Sequence, residues 1–312
     1  MTPMADSDDS KDSDRSDDSD HYDVVIVGGG PTGCAVGVFA ARYGLDAVIF
    51  DRGNSSIRRC AYLENYLGFP RGIDIETFYA LLHDHVREAG CELVSEMVVS
   101  VEDDDGFVVE TQEDSHFTAE RVVAATRYGG DYLRPLDDGT MFETYEYGGE
   151  EQERFNRSYT EAAGETAVDG LYVAAPSEEA DHQALMAAGR GARVGLALIE
   201  EIRQERGYPE SIANQYDWVR RKAEITDEWS DRDRWREWFA DHLPDDHELD
   251  EEQRVELREH EIDRSFDAYL SREAIESRIP RGQARLLEHM DDDLILEATR
   301  EITAERRSEG NE

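Results

Sequence analysis

Lysine is almost absent from this chain. Of its 33 basic residues only Lys11 and Lys222 are lysines, set against 74 acids and a formal net charge of −41. Nucleic-acid binding rests on neutralising phosphates, so a field this negative excludes nucleic acid as a partner and argues against an anionic membrane surface. Long apolar runs are missing too, and nothing approaches the roughly 20 residues that a membrane-spanning helix needs. Cysteine is scarce. Cys34, Cys60 and Cys91 show no C-x-x-C and no metal-like spacing, which excludes a disulfide framework and points to a reduced, intracellular setting. Residues 1–20 have neither a basic start nor an apolar stretch, so no secretory leader is expected and the location expected is cytoplasmic.

What is present is an acid-rich surface whose positive charge is nearly all arginine. Such a surface suits a very salty cytoplasm, where charge is screened over short distances. The composition resembles that of proteins of halophilic archaea; an ordinary acidic protein is the plainer alternative. Residues 1–20 are almost all Asp, Ser and basic residues and read as a disordered acidic tail.

Order begins at Tyr22. The run Tyr22 to Val27 is continuously apolar after Asp23, as in a strand buried on both faces. Glycines follow, then a small-residue helix over Cys34 to Tyr43, then a second buried strand over Asp46 to Asp51. This is β-α-β in about thirty residues. Apolar residues at helical spacing predict a helix over Ile75 to Ala89, and Cys91 to Val94 reads as a third parallel strand. Met97–Val101, Phe107–Glu113 and Phe117–Ala124 alternate and are punctuated by turn residues, predicting a small antiparallel meander. Residues 128–168 show only weak periodicity. A short strand at Gly170–Ala175 and a long helix over about Gln183 to Arg206 follow. From Tyr208 the pattern is charged and helical, it holds all four tryptophans, and Pro244 and Pro280 mark expected helix breaks. The expected architecture is α/β: a Rossmann-like dinucleotide-binding domain over 21–207, with a parallel sheet and a meander, and an acidic helical extension over 208–312.

The sequence Gly28-Gly29-Gly30-Pro31-Thr32-Gly33 fits G-x-G-x-x-G. Alone the motif is weak, but here it follows a buried strand and opens a helix, and Asp51 ends the next strand. Gly28 would permit the tight turn, Gly30 the approach of a pyrophosphate, and Gly33 close helix–strand packing. The helix start, with Pro31 and Thr32, would present free N–H groups to the phosphates. Asp51, followed by Arg52, would accept from the adenosine ribose. A glycine-rich turn without a ligand is the bland alternative.

Glu64-Asn65-Tyr66-Leu67-Gly68-Phe69-Pro70 resembles the E-N-x-x-G-F-P segment of the thioredoxin reductase family of flavoproteins. Val122 to Thr126 resembles that family's strand ending in A-T-G. Gly170 to Ala175, with Gln183-Ala184 and Ala187 to Gly191, resembles its last FAD segment. The resemblance covers roughly residues 22–127 and 168–200. It implies bound FAD, with Asn65, Thr126, Gln183 and Ala184 beside it and a helix N-terminus aimed at the flavin.

The departures matter as much. Between these halves the family carries a second dinucleotide domain for NADPH and a C-x-x-C; here residues 128–168 hold neither a second fingerprint nor a cysteine. The family's Gly after Ala-Thr is Arg127, and its ribityl-binding Asp aligns with Pro176; Glu178, Glu179 or Asp181 would have to substitute. The resemblance therefore implies a flavin-dependent oxidoreductase whose electrons come from a small-molecule substrate or an electron-carrier protein. A non-catalytic dinucleotide-binding or interaction protein is the rival, and a homodimer is left open.

Cys60 is the candidate redox residue, lying where related disulfide reductases carry one. Arg58 and Arg59 would favour its thiolate, and a structural cysteine is the alternative. Cys34 and Cys91 read as small core residues. His182 would approach the flavin or lie on the surface. His83 and His85 sit two apart on a helix, so they face different sides. Trp229, Trp235, Trp238 and Phe239 would pack helix on helix, cover the flavin or bind a partner.

Overall fold

Apolar runs with no polar face must be covered on both sides, and the sheet places each of them in its interior. The computed structural model describes residues 20–127, 129–156, 158–175, 183–214, 220–221, 227–244, 247 and 249–309. The expected acidic tail lies outside the described residues, apart from Asp20. Strand β1 (Asp20–Val27) is central, with Val24, Val25 and Ile26 fully buried. It pairs in parallel with β2 (Ala47–Phe50), which pairs in parallel with β3 (Glu92–Val94). On its other side β1 pairs in parallel with β6 (His116–Ala124).

β6 is long enough to take two neighbours in succession on its far side. Its first half pairs antiparallel with β5 (Phe107–Thr111), which continues to β4 (Val98–Asp103) across a bulge near Val98 and Ser100. Its second half pairs in parallel with β9 (Leu171–Val173). The expected meander therefore grows out of the parallel sheet as read.

Three helices cover one face: α1 (Pro31–Tyr43), α2 (Ile75–Glu88) and α3 (Ala184–Glu205). α1 and α3 pack closely, because a Cβ on Gly191 would lie 2.1 Å from the Thr32 carbonyl oxygen. The other face is closed by the meander and by Tyr132, Leu133 and Met141, from a 3₁₀ turn and the chain after it. A buried Arg121 on β6 ties the sheet to α3 through Glu201 and Glu205.

Residues 142–155 form a hairpin of β7 (Phe142–Tyr147) and β8 (Glu150–Phe155) that the weak periodicity did not reveal. Gly148 and Gly149 have φ of 68° and 87°, the two positive values of a type I′ turn. Beyond α3 the chain is helical, as expected: α4 (Glu210–Ala213), α5 (Arg232–His242), α6 (Glu251–Asp267), α7 (Arg272–Leu287) and α8 (Asp292–Glu309). Between them, β10 (Arg220–Arg221) and β11 (Tyr269–Leu270) form a short parallel pair.

Pro244 follows the end of α5, as expected. Pro280 corrects the reading, because α7 runs through it. A proline inside a helix forfeits one N–H bond, but α7 is supported on both sides. Ser271 accepts from the Ala274 N–H at one end, Arg272 pairs with Glu276, and Arg285 binds Asp84 near the other. Among the described residues no helix is long and apolar enough to cross a membrane, and no cluster of His, Cys, Asp and Glu is placed to hold a metal.

Candidate functional site

The fingerprint turn lies at the carboxyl end of β1. Gly28 has φ of 119°, and its N–H donates to the Phe50 carbonyl at 2.9 Å. A Cβ on Gly33 would lie 1.8 Å from the Gly28 carbonyl oxygen, so the turn and α1 pack backbone on backbone. Helix α1 has Gly30 at its N-cap and Pro31 in its first turn, and no side chain caps it. Neither residue can supply a capping oxygen, so the first-turn amides, Thr32 and Gly33 among them, keep the N–H donors and partial positive charge that suit a phosphate.

This turn borders a cavity of about 950 Å³, near the upper end of the roughly 300–1,000 Å³ usual for small-molecule and cofactor sites. Gly28, Gly30, Pro31, Thr32, Asp51 and Arg52 line it at one end, and Asn65, Gln183 and Ala184 also border it, with Thr126. Asn65 Nδ2 donates to Gln183 Oε1 at 2.7 Å, joining positions 118 residues apart. With its side chain turned to Asn65, Gln183 makes no capping bond at the start of α3, so the amide end of that helix also opens beside Ala184 and Ala187 at the cavity wall. Of the candidate cofactor residues only Gly33 is absent from the wall, and its place is in the packing just described. Pro176, Glu178, Glu179, Asp181 and His182 lie outside the described residues.

Asp51 is more engaged than the sequence suggested. It is buried; its Oδ1 accepts from the Gly53 N–H at 3.0 Å, and its Oδ2 accepts from the Tyr79 hydroxyl. His83 Nε2 lies 3.4 Å from the same Oδ2 and 3.0 Å from the Gly29 carbonyl oxygen. Burial, reinforced by the bond to Asp51, pushes the Tyr79 phenol up, so it remains a donor at neutral pH. A carboxylate offers about four lone-pair sites, so Asp51 keeps capacity toward the cavity. Tyr79 and His83 are the residues that reading the sequence missed. Their i, i+4 spacing puts both on the inner face of α2, while His85 is exposed.

Cys60 is exposed at the cavity wall, just after the 3₁₀ turn of Ser56–Arg59. Arg58 does not turn to it; its guanidinium stacks over the Tyr79 ring at 4.3 Å. Cys34 and Cys91 are buried, as expected. Burial pushes the Cys34 thiol up strongly and the Cys91 thiol up to about 12, which keeps both protonated. Arg52 donates to Met97 Sδ at 3.2 Å, and Thr126 Oγ1 lies 3.1 Å from the hydroxyl of the buried Tyr132. Of the candidate aromatic cluster, Trp229, Trp235, Trp238 and Phe239 do not line the cavity. Trp235 packs edge-on to Trp229 at 5.0 Å and to Trp238 at 6.1 Å, and Phe239 is buried beside Tyr208 and Ile212.

Residues 22–140 match the family described as "Pyridine nucleotide-disulphide oxidoreductase". Among solved structures, a thioredoxin reductase from Gloeobacter violaceus aligns over 64% of this chain and 98% of its own, at 16% identity and a TM-score of 0.49. The T. acidophilum thioredoxin reductase aligns over 59% and 99%, at 18% identity and a TM-score of 0.45. An oxidoreductase from Agrobacterium tumefaciens aligns over the same shares, at 13% identity and a TM-score of 0.48. The dinucleotide-type fold at the start of this chain, from its first strand to the 3₁₀ turn after the meander, is thus similar to that of the pyridine nucleotide-disulphide oxidoreductases.

Proposed function

We propose that the chain is an FAD-dependent oxidoreductase. In this reading residues 21–207 hold the cofactor, residues 128–168 stand in place of an NADPH domain, and residues 208–312 form a helical extension. One observation carries the proposal: a single cavity is bordered both by the uncapped start of α1 and by the Asn65–Gln183 pair at the start of α3. A mononucleotide would need only the first of these. The fit extends to Gly30, where a Cβ would lie 2.8 Å from Ser55 Oγ, so any side chain would crowd the cradle. The α1 amides would hold the pyrophosphate, Asp51 the ribose, and Asn65, Gln183 and the amide end of α3 the flavin. Bound FAD supplies the electron and hydride chemistry. The chain's part is position and field: the α3 end favours negative charge, and Asn65 holds the Gln183 amide in a single orientation. Cys60 is the nearby thiol, and besides Asp51 the carboxyl groups at the wall are Glu64, Glu96 and Asp131. Electrons would come from a small molecule or a carrier protein in the cytoplasm.

An absorbance spectrum of protein purified in molar KCl tests this. A flavin spectrum near one per chain, bleached by dithionite and restored by air, is expected. Colourless protein that gains no bound flavin on adding FAD would sink the proposal. A second reading, a dinucleotide held as a sensing or structural ligand, is favoured by the prior engagement of Asp51 with Tyr79 and Gly53. Flavin that binds but is not bleached by any donor would select it.

A further inference from the structure

The hairpin β7–β8 folds over the carboxyl ends of β6 and β9 and encloses a second, smaller cavity of about 270 Å³. Carboxyl ends of parallel strands are where open α/β sheets take their ligands. In a chain with 74 acids, the described wall of this compartment contains none, and it contains two arginines, Arg127 and Arg154. The rest of the lining includes three aromatic rings, those of Tyr132, Tyr145 and Phe155, together with Ala124 and Val173.

These walls are held in place. Phe155 packs edge-on to Phe142 at 5.9 Å and to Tyr159 at 6.0 Å. Arg154 donates its Nε to Glu143 at 2.7 Å and stacks over the Tyr145 ring at 4.7 Å. That fixes the guanidinium plane, and among the described residues neither Nη of Arg154 has a partner. A planar fork of N–H donors beside aromatic faces recognises a carboxylate on a flat ring. The volume is too small for a second dinucleotide and suits a single-ring molecule.

We infer that this compartment binds a small planar organic carboxylate, with its anionic group on the Nη donors of Arg154 and its ring between Tyr132, Tyr145 and Phe155. Thr126, Arg127, Gly129 and Tyr132 border both cavities, so the ligand lies against whatever fills the larger one. Binding stands by itself. A role as the redox substrate rests on the flavoprotein proposal.

Isothermal titration calorimetry on the full chain in molar KCl, with benzoate, benzamide and acetate as probes, tests the inference without reference to flavin. Benzoate is expected to bind about tenfold or more tighter than its neutral isostere benzamide, the size of one charge-assisted contact, and tighter than acetate, which lacks the ring. The exposed Arg154→Gln change is expected to abolish that preference while leaving the melting temperature unchanged. Two results overturn the inference: no heat with benzoate, or benzoate and benzamide binding alike. Undiminished benzoate binding in a folded Arg154→Gln protein also overturns it. Protein that takes up no FAD yet binds benzoate in this way would sink the redox proposal alone.

Discussion

The sheet and the C-terminal helices are held by opposite means. Around β1 the interior is apolar, with Val24, Val25, Ile26, Val48, Ile49 and Val123 fully buried. Each such side chain contributes about 1.5–3 kcal/mol by leaving water. The helices from α4 onward bury little beyond Tyr208, Ile212, Ala213, Phe239, Trp235 and Ile262, and α7 and α8 bury nothing. Charge takes over there. Glu259 gathers Arg232, Arg236 and Arg258, and Arg285 and His289 bind Asp84 on α2. A chain this acidic can spend carboxylates freely on its surface, and each arginine fork then ties together several of them. The seam between the regions is the exception: Arg203 of α3 and Glu261 of α6 pair at 2.9 Å, with the arginine fully buried and the glutamate nearly so. Arg203 also donates to the Ile212 carbonyl and lies under the Tyr208 ring.

Breaking that seam has the largest expected effect. Arg203→Met leaves Glu261 buried with only Arg264 beside it, and should cost about 3–5 kcal/mol. The helices should then melt before the sheet, giving two transitions by calorimetry where the parent gives one. The double variant Arg203→Met, Glu261→Leu should recover most of the loss, because an apolar pair needs no compensating charge. A single variant that melts as the parent does would show that the seam is not held by this pair.

The sheet side is tested by Gly33→Ala. The added Cβ meets the Gly28 carbonyl at 1.8 Å, so α1 must shift, at about 1–3 kcal/mol as for other overpacked sites. The same shift moves the amides proposed to hold pyrophosphate. Flavin retention should therefore fall more than stability does, measured by absorbance against thermal melting. Equal losses in both would show that the turn serves packing alone.

These two sites were unequally legible in the sequence. Gly33 could be read, because a buried run, a glycine turn and a small-residue helix are all local patterns. The Arg203–Glu261 seam could not, since its partners stand 58 positions apart on charged helices where any arginine looks solvated. The same limit hid Tyr79 and His83. Their helix was predicted, but only its packing against the fingerprint loop shows which face meets Asp51. Asn65 and Gln183 were found by resemblance, and no periodicity joins them. The β7–β8 hairpin was missed for a different reason. Its strands, FETYEY and EEQERF, are polar and largely exposed, so period-two burial never marked them. The Gly148-Gly149 pair was the signal available. Pro280 was over-read, because a proline counts as a stop only where the flanking turns lack support of their own.

Acid should act on the helices before the sheet. Hydrogen bonds from Arg236 first, then Arg232 and Arg258, hold the Glu259 carboxyl down at about 2, below its ordinary 4.5. A folded-state value below the unfolded one means stability that is fully present above pH 4.5 and is lost as pH falls through about 2. Asp84, lowered chiefly by its bond to Arg285, adds to the same trend at the α2–α7 contact. Tryptophan fluorescence, whose four sources all follow Tyr208 in the chain and include Trp229, Trp235 and Trp238, should therefore change at higher pH than the far-ultraviolet signal of the sheet. Glu259→Gln should narrow that gap, at a cost below about 1 kcal/mol because its pairs are partly exposed.

The smallest effect is expected on α8, where it is the most diagnostic. Leu294, Leu296 and Ile302 are about half exposed or more, and the helix buries no residue. A surface substitution away from any packed feature stays within about 0.5 kcal/mol, so Leu294→Ser should leave the melting temperature unchanged. Lost stability at dilute concentration would mean that α8 packs in the monomer more tightly than its exposure indicates. A loss that appears only as protein concentration rises would mean that a second copy covers the helix, since association stabilises by mass action. In that case the charge-held region would gain an apolar contact of its own, and its contrast with the sheet would narrow to α4 through α7.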